Sequence, residues 1–253
     1  MRHFIRAAAL AVTLLFVPYA AQADTAAPRF ATPSIAAFAR QTAPLHAAPR
    51  APRLHAAPRA PRLHAHGERA PGQSKADYYA WLARAPENRA RVLAFRDHLA
   101  AQGLEDVVPV WQLIRTSSSW RQCAAERFEV APRDKWNHIT ATLRFVRDEV
   151  VPAVGQVEAL SGYRNEALNR CSAGAPASAH RLFFALDLTP VSPGITRVGM
   201  IRSICTAHAR DGRTYNTGLG FYNGMRFHVD SNGFRRWGAD GRGATSPCGG
   251  SYA

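Results

Sequence analysis

The chain is 253 residues long, 47% hydrophobic and 20% charged, with a formal net charge of +14. That composition excludes a wholly disordered or fibrous chain, because it carries enough apolar side chain for one well-buried domain. No stretch reaches the roughly 20 apolar residues of a bilayer-spanning helix, so a polytopic membrane protein is excluded as well.

The first 23 residues read as an export signal. Arg2 and Arg6 make a basic start, an apolar run follows from Ala7 to Val17, and Ala21-Gln22-Ala23 offers the small residues of a cleavage site. A periplasmic, envelope-bound or secreted protein is expected. From Asp24 to Lys75, Ala, Pro, Arg and His dominate, with a nine-residue repeat running from Pro49 to His66. Repeated proline favours extended polyproline II, and too few large apolar residues are present to offset the entropy of ordering. Residues 24–75 are therefore expected to be a disordered cationic segment that meets an anionic cell-wall or membrane surface. Nucleic acid is not the expected partner of an exported chain, and a monomer is expected.

Residues 76–253 make one globular domain of expected α+β class. Asp77 to Leu82 starts a helix. Glu87 to Ala101 carries Val92, Leu93, Phe95 and Leu99 near one stripe, with Gly103 to end it. Trp136 to Val150 repeats the pattern with Ile139, Leu143, Phe145, Val146 and Val150, and Pro152 marks its close. Later segments are shorter and richer in turns. Phe183–Leu188 and Met225–Asp230 read as strands. A helical N-terminal part packed on a small antiparallel sheet is the expected arrangement.

Cys123, Cys171, Cys205 and Cys248 read as two disulfides in an exported chain. Three pairings are open. Cys171–Cys205 with Cys123–Cys248 is preferred, because the first would brace the loops around residues 180–187. No C-x-x-C supports a zinc thiolate site, and a nucleophilic Cys205 beside His208 would have to stay reduced.

His180, Asp187 and His228 form a borderline-soft N/O set that suits Zn²⁺ with a fourth position left for water. His180 follows the 174–178 loop, and Asp187 is a carboxylate in an apolar strand, which is costly unless paired or metal-bound. His228 and Asp230 share a strand face, so Asp230 is a candidate for the outer support of the metal or for proton transfer. No H-E-x-x-H is present, and neither lysine, Lys75 or Lys135, completes an S-x-x-K.

Ser161-Gly162-Tyr163-Arg164, Ser178-Ala179-His180 with Asp187, and His228-Val229-Asp230 stand in an order that resembles the zinc D-alanyl-D-alanine peptidase family. The resemblance runs from about Val157 to Trp237. It implies a zinc peptidase core, zinc held by His180, Asp187 and His228, and a zinc-activated water that attacks a D-amino-acid-containing peptidoglycan peptide. Arg164 matches the family arginine that polarises the scissile carbonyl, Ser178 is expected near the site, and Tyr163 is expected in packing. Members place Glu or His two or three residues before the last zinc histidine. Here Met225 and Arg226 stand there and neither can act as a base. Asp230 is the preferred base and His208 the alternative. The competing expectation is a non-catalytic zinc-containing wall-binding module.

Overall fold

In a computed structural model, residues 69–249 are described. The expected signal and residues 24–68 of the cationic segment lie outside them. The folded part starts before the expected boundary at residue 75. Gln73 is fully buried and donates to the Arg127 carbonyl, Trp120 donates to the Pro71 carbonyl, and Arg69 pairs with Glu158 at 2.8 Å. Helix α1 (Lys75–Arg84) then begins on a reciprocal cap between Ser74 and Asp77.

Helix α2 (Pro86–Ala100) follows at once, with Pro86 in its first turn, where no N–H is needed. Val92, Phe95 and Leu99 point inward, whereas Leu93 is turned out of that stripe and is 41% exposed. A short helix α3 (Val110–Leu113) leads to Arg115, which is fully buried and pairs with Glu158. Helix α4 (Trp136–Phe145) buries Ile139, Leu143 and Phe145. It does not close at Pro152. A π-helical turn at Val146–Val150 passes into α5 (Val151–Val154), and the run stops at Gly155 with φ of 78°. Proline removes one backbone donor and crowds the carbonyl four residues back, and the wider π turn accommodates it.

The rest is one sheet and its connections. Strands β1 (Val157–Ser161), β2 (Ala185–Pro190), β3 (Gly218–Phe221), β4 (Phe227–Asp230) and β5 (Arg235–Trp237) lie in the order β1-β2-β4-β3-β5. Helix α6 (Glu166–Cys171) and a 3₁₀ turn (Ala179–Leu182) join β1 to β2, and α7 (Arg197–Asp211) joins β2 to β3. The α+β class is as expected, but the sheet is mixed rather than antiparallel, because β5 runs parallel to β3. Both edges of β4 are already taken by β2 and β3. The chain turns back after Asp230, so its next strand runs in the direction of β3 and pairs on the outer edge of β3.

Alternation separates the two faces of this sheet. Leu186 and Leu188, Phe227 and Val229, and Leu219 and Phe221 are all buried in the hydrophobic core, with α4 packed against β2 and β4. Asp187, His228, Asp230, Gly218 and Gly220 alternate with them.

Two disulfides form, Cys123–Cys171 and Cys205–Cys248, with Cα separations of 5.8 and 5.3 Å. The expected pairs Cys171–Cys205 and Cys123–Cys248 are thereby corrected. The end of α6 faces the turn that holds Cys123, where the Ser172 and Ser117 hydroxyls lie 3.0 Å apart. Cys205 lies within α7, against the last 3₁₀ turn (Pro247–Gly249) that carries Cys248. Two disulfides fit an oxidising, extracytoplasmic compartment. Among the described residues no helix is long and apolar enough to cross a membrane.

Candidate metal centre

One row of residues crosses the sheet through Ser161, Asp187, His228, Gly220 and Trp237, each opposite the next. The neighbouring row holds Ala185, Asp230, Gly218 and Arg235. The two glycines of β3 make these rows possible. A Cβ at Gly220 would stand 2.0 Å from the Trp237 ring, which packs 5.2 Å from the His228 ring. A Cβ at Gly218 would stand 2.4 Å from Asp230 Oδ2 and 2.6 Å from an Arg235 nitrogen.

His180 comes from the 3₁₀ turn just before β2. Its Nε2 lies 3.2 Å from His228 Nδ1 and 3.3 Å from Asp187 Oδ1, and His228 Nδ1 lies 3.1 Å from the same oxygen. All three side chains are buried. His180 Nδ1 is 2.7 Å from the Gly162 carbonyl, and His228 Nε2 is 2.9 Å from Asp230 Oδ2. Those oxygens only accept, so each outer nitrogen carries the proton. Two ring lone pairs and a carboxylate oxygen therefore face one another, and a cation relieves such a meeting. Ligands bonded at about 2.0–2.1 Å to a tetrahedral ion stand roughly 3.3 Å apart, which matches the edges of this triangle. The group is thus one that could hold a metal ion.

For His180 and Asp187 the electrostatics agree with that geometry, whereas the two carboxylates beside His228 draw that ring toward its protonated form, against which an ion would compete. Burial pushes the His180 pKa down to about 4, which keeps the ring neutral, the form that ligates a metal. Burial also opposes charge on His228, but its hydrogen bonds to Asp187 and Asp230 outweigh burial and raise its pKa. Asp187 is raised by burial, but the nearby Arg226 and His180 outweigh this and hold it well below the usual carboxylate range. Its outer oxygen accepts from Arg226 at 2.6 Å and from Arg164 at 3.3 Å, while the Tyr222 hydroxyl donates to Oδ1 at 2.9 Å.

The sequence-predicted residues divide. His180, Asp187 and His228 come together, and Arg164 touches Asp187. Tyr163 is buried against Phe183, with ring centroids 6.1 Å apart. Ser178 opens the 3₁₀ turn without a side-chain cap. Asp230 is placed differently from the expected base. It stands behind His228, on the nitrogen turned away from the triangle, and is fully buried. Arg235 donates to both its oxygens at 3.0 and 2.7 Å, and the Asn232 amide donates at 2.7 Å. Burial raises its pKa, but His228 first, then Arg235 and the Asn232 amide, outweigh burial and hold it at about 2. His208 is also engaged elsewhere, with Nε2 2.8 Å from the Thr217 carbonyl and its ring stacked 4.7 Å from Phe234.

Arg226, Tyr222, Trp237 and Arg235 were not read as site residues. Arg226 alone carried a signal, because it is two residues before His228 and shares its strand parity. The other three arrive through cross-strand pairing or a turn. A scan against protein-family models, a search of curated proteins and a search of solved structures each return no match.

Proposed function

We propose that the chain is an exported zinc metallopeptidase that hydrolyses a peptide bond in peptidoglycan stem peptides or cross-links. The observation that carries this reading is the convergence of His180 Nε2, His228 Nδ1 and Asp187 Oδ1 with their protons turned outward. The export-like leader and the ordered resemblance to zinc D-alanyl-D-alanine peptidases support the compartment and the substrate. Bound zinc would supply Lewis acidity and a water with a pKa lowered toward about 7.

The residues of the chain do the rest. The Gly162 carbonyl fixes the tautomer of His180, and a Cβ at Gly162 would stand 2.3 Å from the Leu113 carbonyl oxygen, so a glycine keeps that strand end in place. Asp230, clamped by Arg235, fixes the tautomer of His228. In this reading Asp230 is an orienting carboxylate and not the proton carrier. Arg164 is 9% exposed beside Asp187 and serves as the cation for developing negative charge on the scissile carbonyl. Residues 24–68 tether the enzyme to anionic wall material.

The second reading is a zinc-containing wall-binding module without turnover. It is favoured by one observation: Met225 and Arg226 stand where the resembled family carries its base, and Asp230 is turned behind His228 on the nitrogen away from the triangle. Elemental analysis and muropeptide mass spectrometry separate the two. The enzyme reading expects about one zinc per chain and new peptide products from purified peptidoglycan, both lost in His180→Ala. Zinc-loaded protein that binds the polymer and releases nothing supports the module. A zinc-free wild type sinks both.

A further inference from the structure

A cavity of about 600 Å³ opens between the α1–α2 corner, residues 123–130 and α6. That volume suits a small-molecule pocket. None of the three candidate ligands lines it, and neither do Arg164, Arg226 or Asp230. Its walls are tied to one another. The Cys123–Cys171 disulfide joins the 123–130 segment to α6. The Asn88 side chain donates to the Trp81 carbonyl at 3.1 Å, and Arg84 at the end of α1 pairs with Glu126 at 2.6 Å. A cavity braced in this way keeps its shape before a ligand arrives, which lowers the cost of binding.

Two opposite charges on this lining are left over once Arg84 and Glu126 are paired. Glu129 accepts one hydrogen bond, from Asn165 Nδ2 to Oε2 at 2.9 Å. Among the described residues no cation lies within 4.0 Å of its carboxylate. Burial raises its pKa more than Asn165, Lys135 and Arg91 lower it, so the charged form is short of compensation where it stands. Arg91 is exposed on α2 and, among the described residues, has no carboxylate within 4.0 Å either. A partly buried carboxylate with an open oxygen calls for a cationic donor, and an unpaired guanidinium calls for an anion. Trp81, Phe128, Val130 and Leu168 make much of the remaining wall apolar.

We infer that this cavity binds a free amino acid as its zwitterion, with the ammonium on Glu129, the carboxylate on Arg91 and an apolar side chain against Trp81 and Leu168. A simple cation leaves Arg91 unmatched, and a simple anion brings a like charge to Glu129. Only a ligand with both charges and an apolar part meets all three features of the wall. The site stands apart from the candidate metal centre and depends on neither the metal nor the peptidase reading.

The test is an NMR titration of the full chain with racemic leucine, N-acetyl-leucine and leucinamide, below about pH 7, where both free α-amines are protonated. Leucine should bind about tenfold or more tightly than either analogue, the weight of one charge-assisted hydrogen bond. The Trp81 indole and Asn165 side-chain amide signals should shift, and the Trp237 indole beside His228 should not. Glu129→Gln should remove the preference over N-acetyl-leucine, and Arg91→Gln the preference over leucinamide. Equal affinity for the three probes in wild type, no binding of leucine up to about 10 mM, or shifts confined to Trp237 overturn the inference even if the variants fail to fold. A folded Glu129→Gln protein that keeps the full preference also overturns it.

Discussion

The two faces of the sheet are built from alternate residues of the same strands, yet they are held by different physics. On one face Leu186, Leu188, Phe227 and Val229 pack under α4, and each interaction is non-directional. On the other, Asp187, His228 and Asp230 are as deeply buried, but every polar atom depends on a named partner. Burial alone therefore does not distinguish core from site. The difference lies in what a substitution leaves behind: a smaller contact on the first face, and an unmatched charge or lone pair on the second.

The largest effect is expected on the polar face. Asp187→Ala removes the carboxylate beneath two guanidinium groups, should cost about 3–5 kcal/mol in urea unfolding, and should abolish metal uptake by elemental analysis. A loss below about 1 kcal/mol with metal retained would break the comparison. On the apolar face, Leu188→Ala should cost about 2–5 kcal/mol but leave metal content per folded chain unchanged. Loss of metal in that variant would show that the two faces are not separable.

Joint replacement of Cys205 and Cys248 by serine should cost about 2–4 kcal/mol, again with metal retained. Peptide mapping under non-reducing conditions should recover Cys123 with Cys171 and Cys205 with Cys248; the other pairing would contradict the placement of α6 and α7. The smallest effect sharpens the comparison within the polar face. Asp230→Asn should weaken metal binding by about 10–100-fold, the usual weight of an outer carboxylate on a ligating histidine. If metal affinity is unchanged and only turnover falls, Asp230 moves a proton rather than orienting His228.

Much of the candidate centre was legible because its ligand types are rare in apolar strands. His180, Asp187 and His228 stand out by chemistry before any contact is known. Helices α1, α2 and α4 were legible by period and capping. Helix α7 was not, since Gly199, Ser203 and Thr206 lower its propensity; its signals were Thr196 as a cap and the buried series Met200, Ile201, Ile204, Ala207 and His208. Strands β3 and β5 were hidden for another reason. Gly218 and Gly220 read as turn residues, but pairing uses them as gaps for Arg235 and Trp237.

By itself, then, the sequence determined the α+β class, the long early helices, an even set of cysteines and the three candidate ligands, because these depend on local period and on residue chemistry. Only the tertiary structure decided the disulfide pairs, the parallel β5 and the roles of Arg226 and Asp230. Those depend on which strand edges remain open and on which side of a ring a partner arrives. In β4, Asp230 shares a face with His228 by parity alone, but register with Gly218 and Arg235 is what turns it behind the ring.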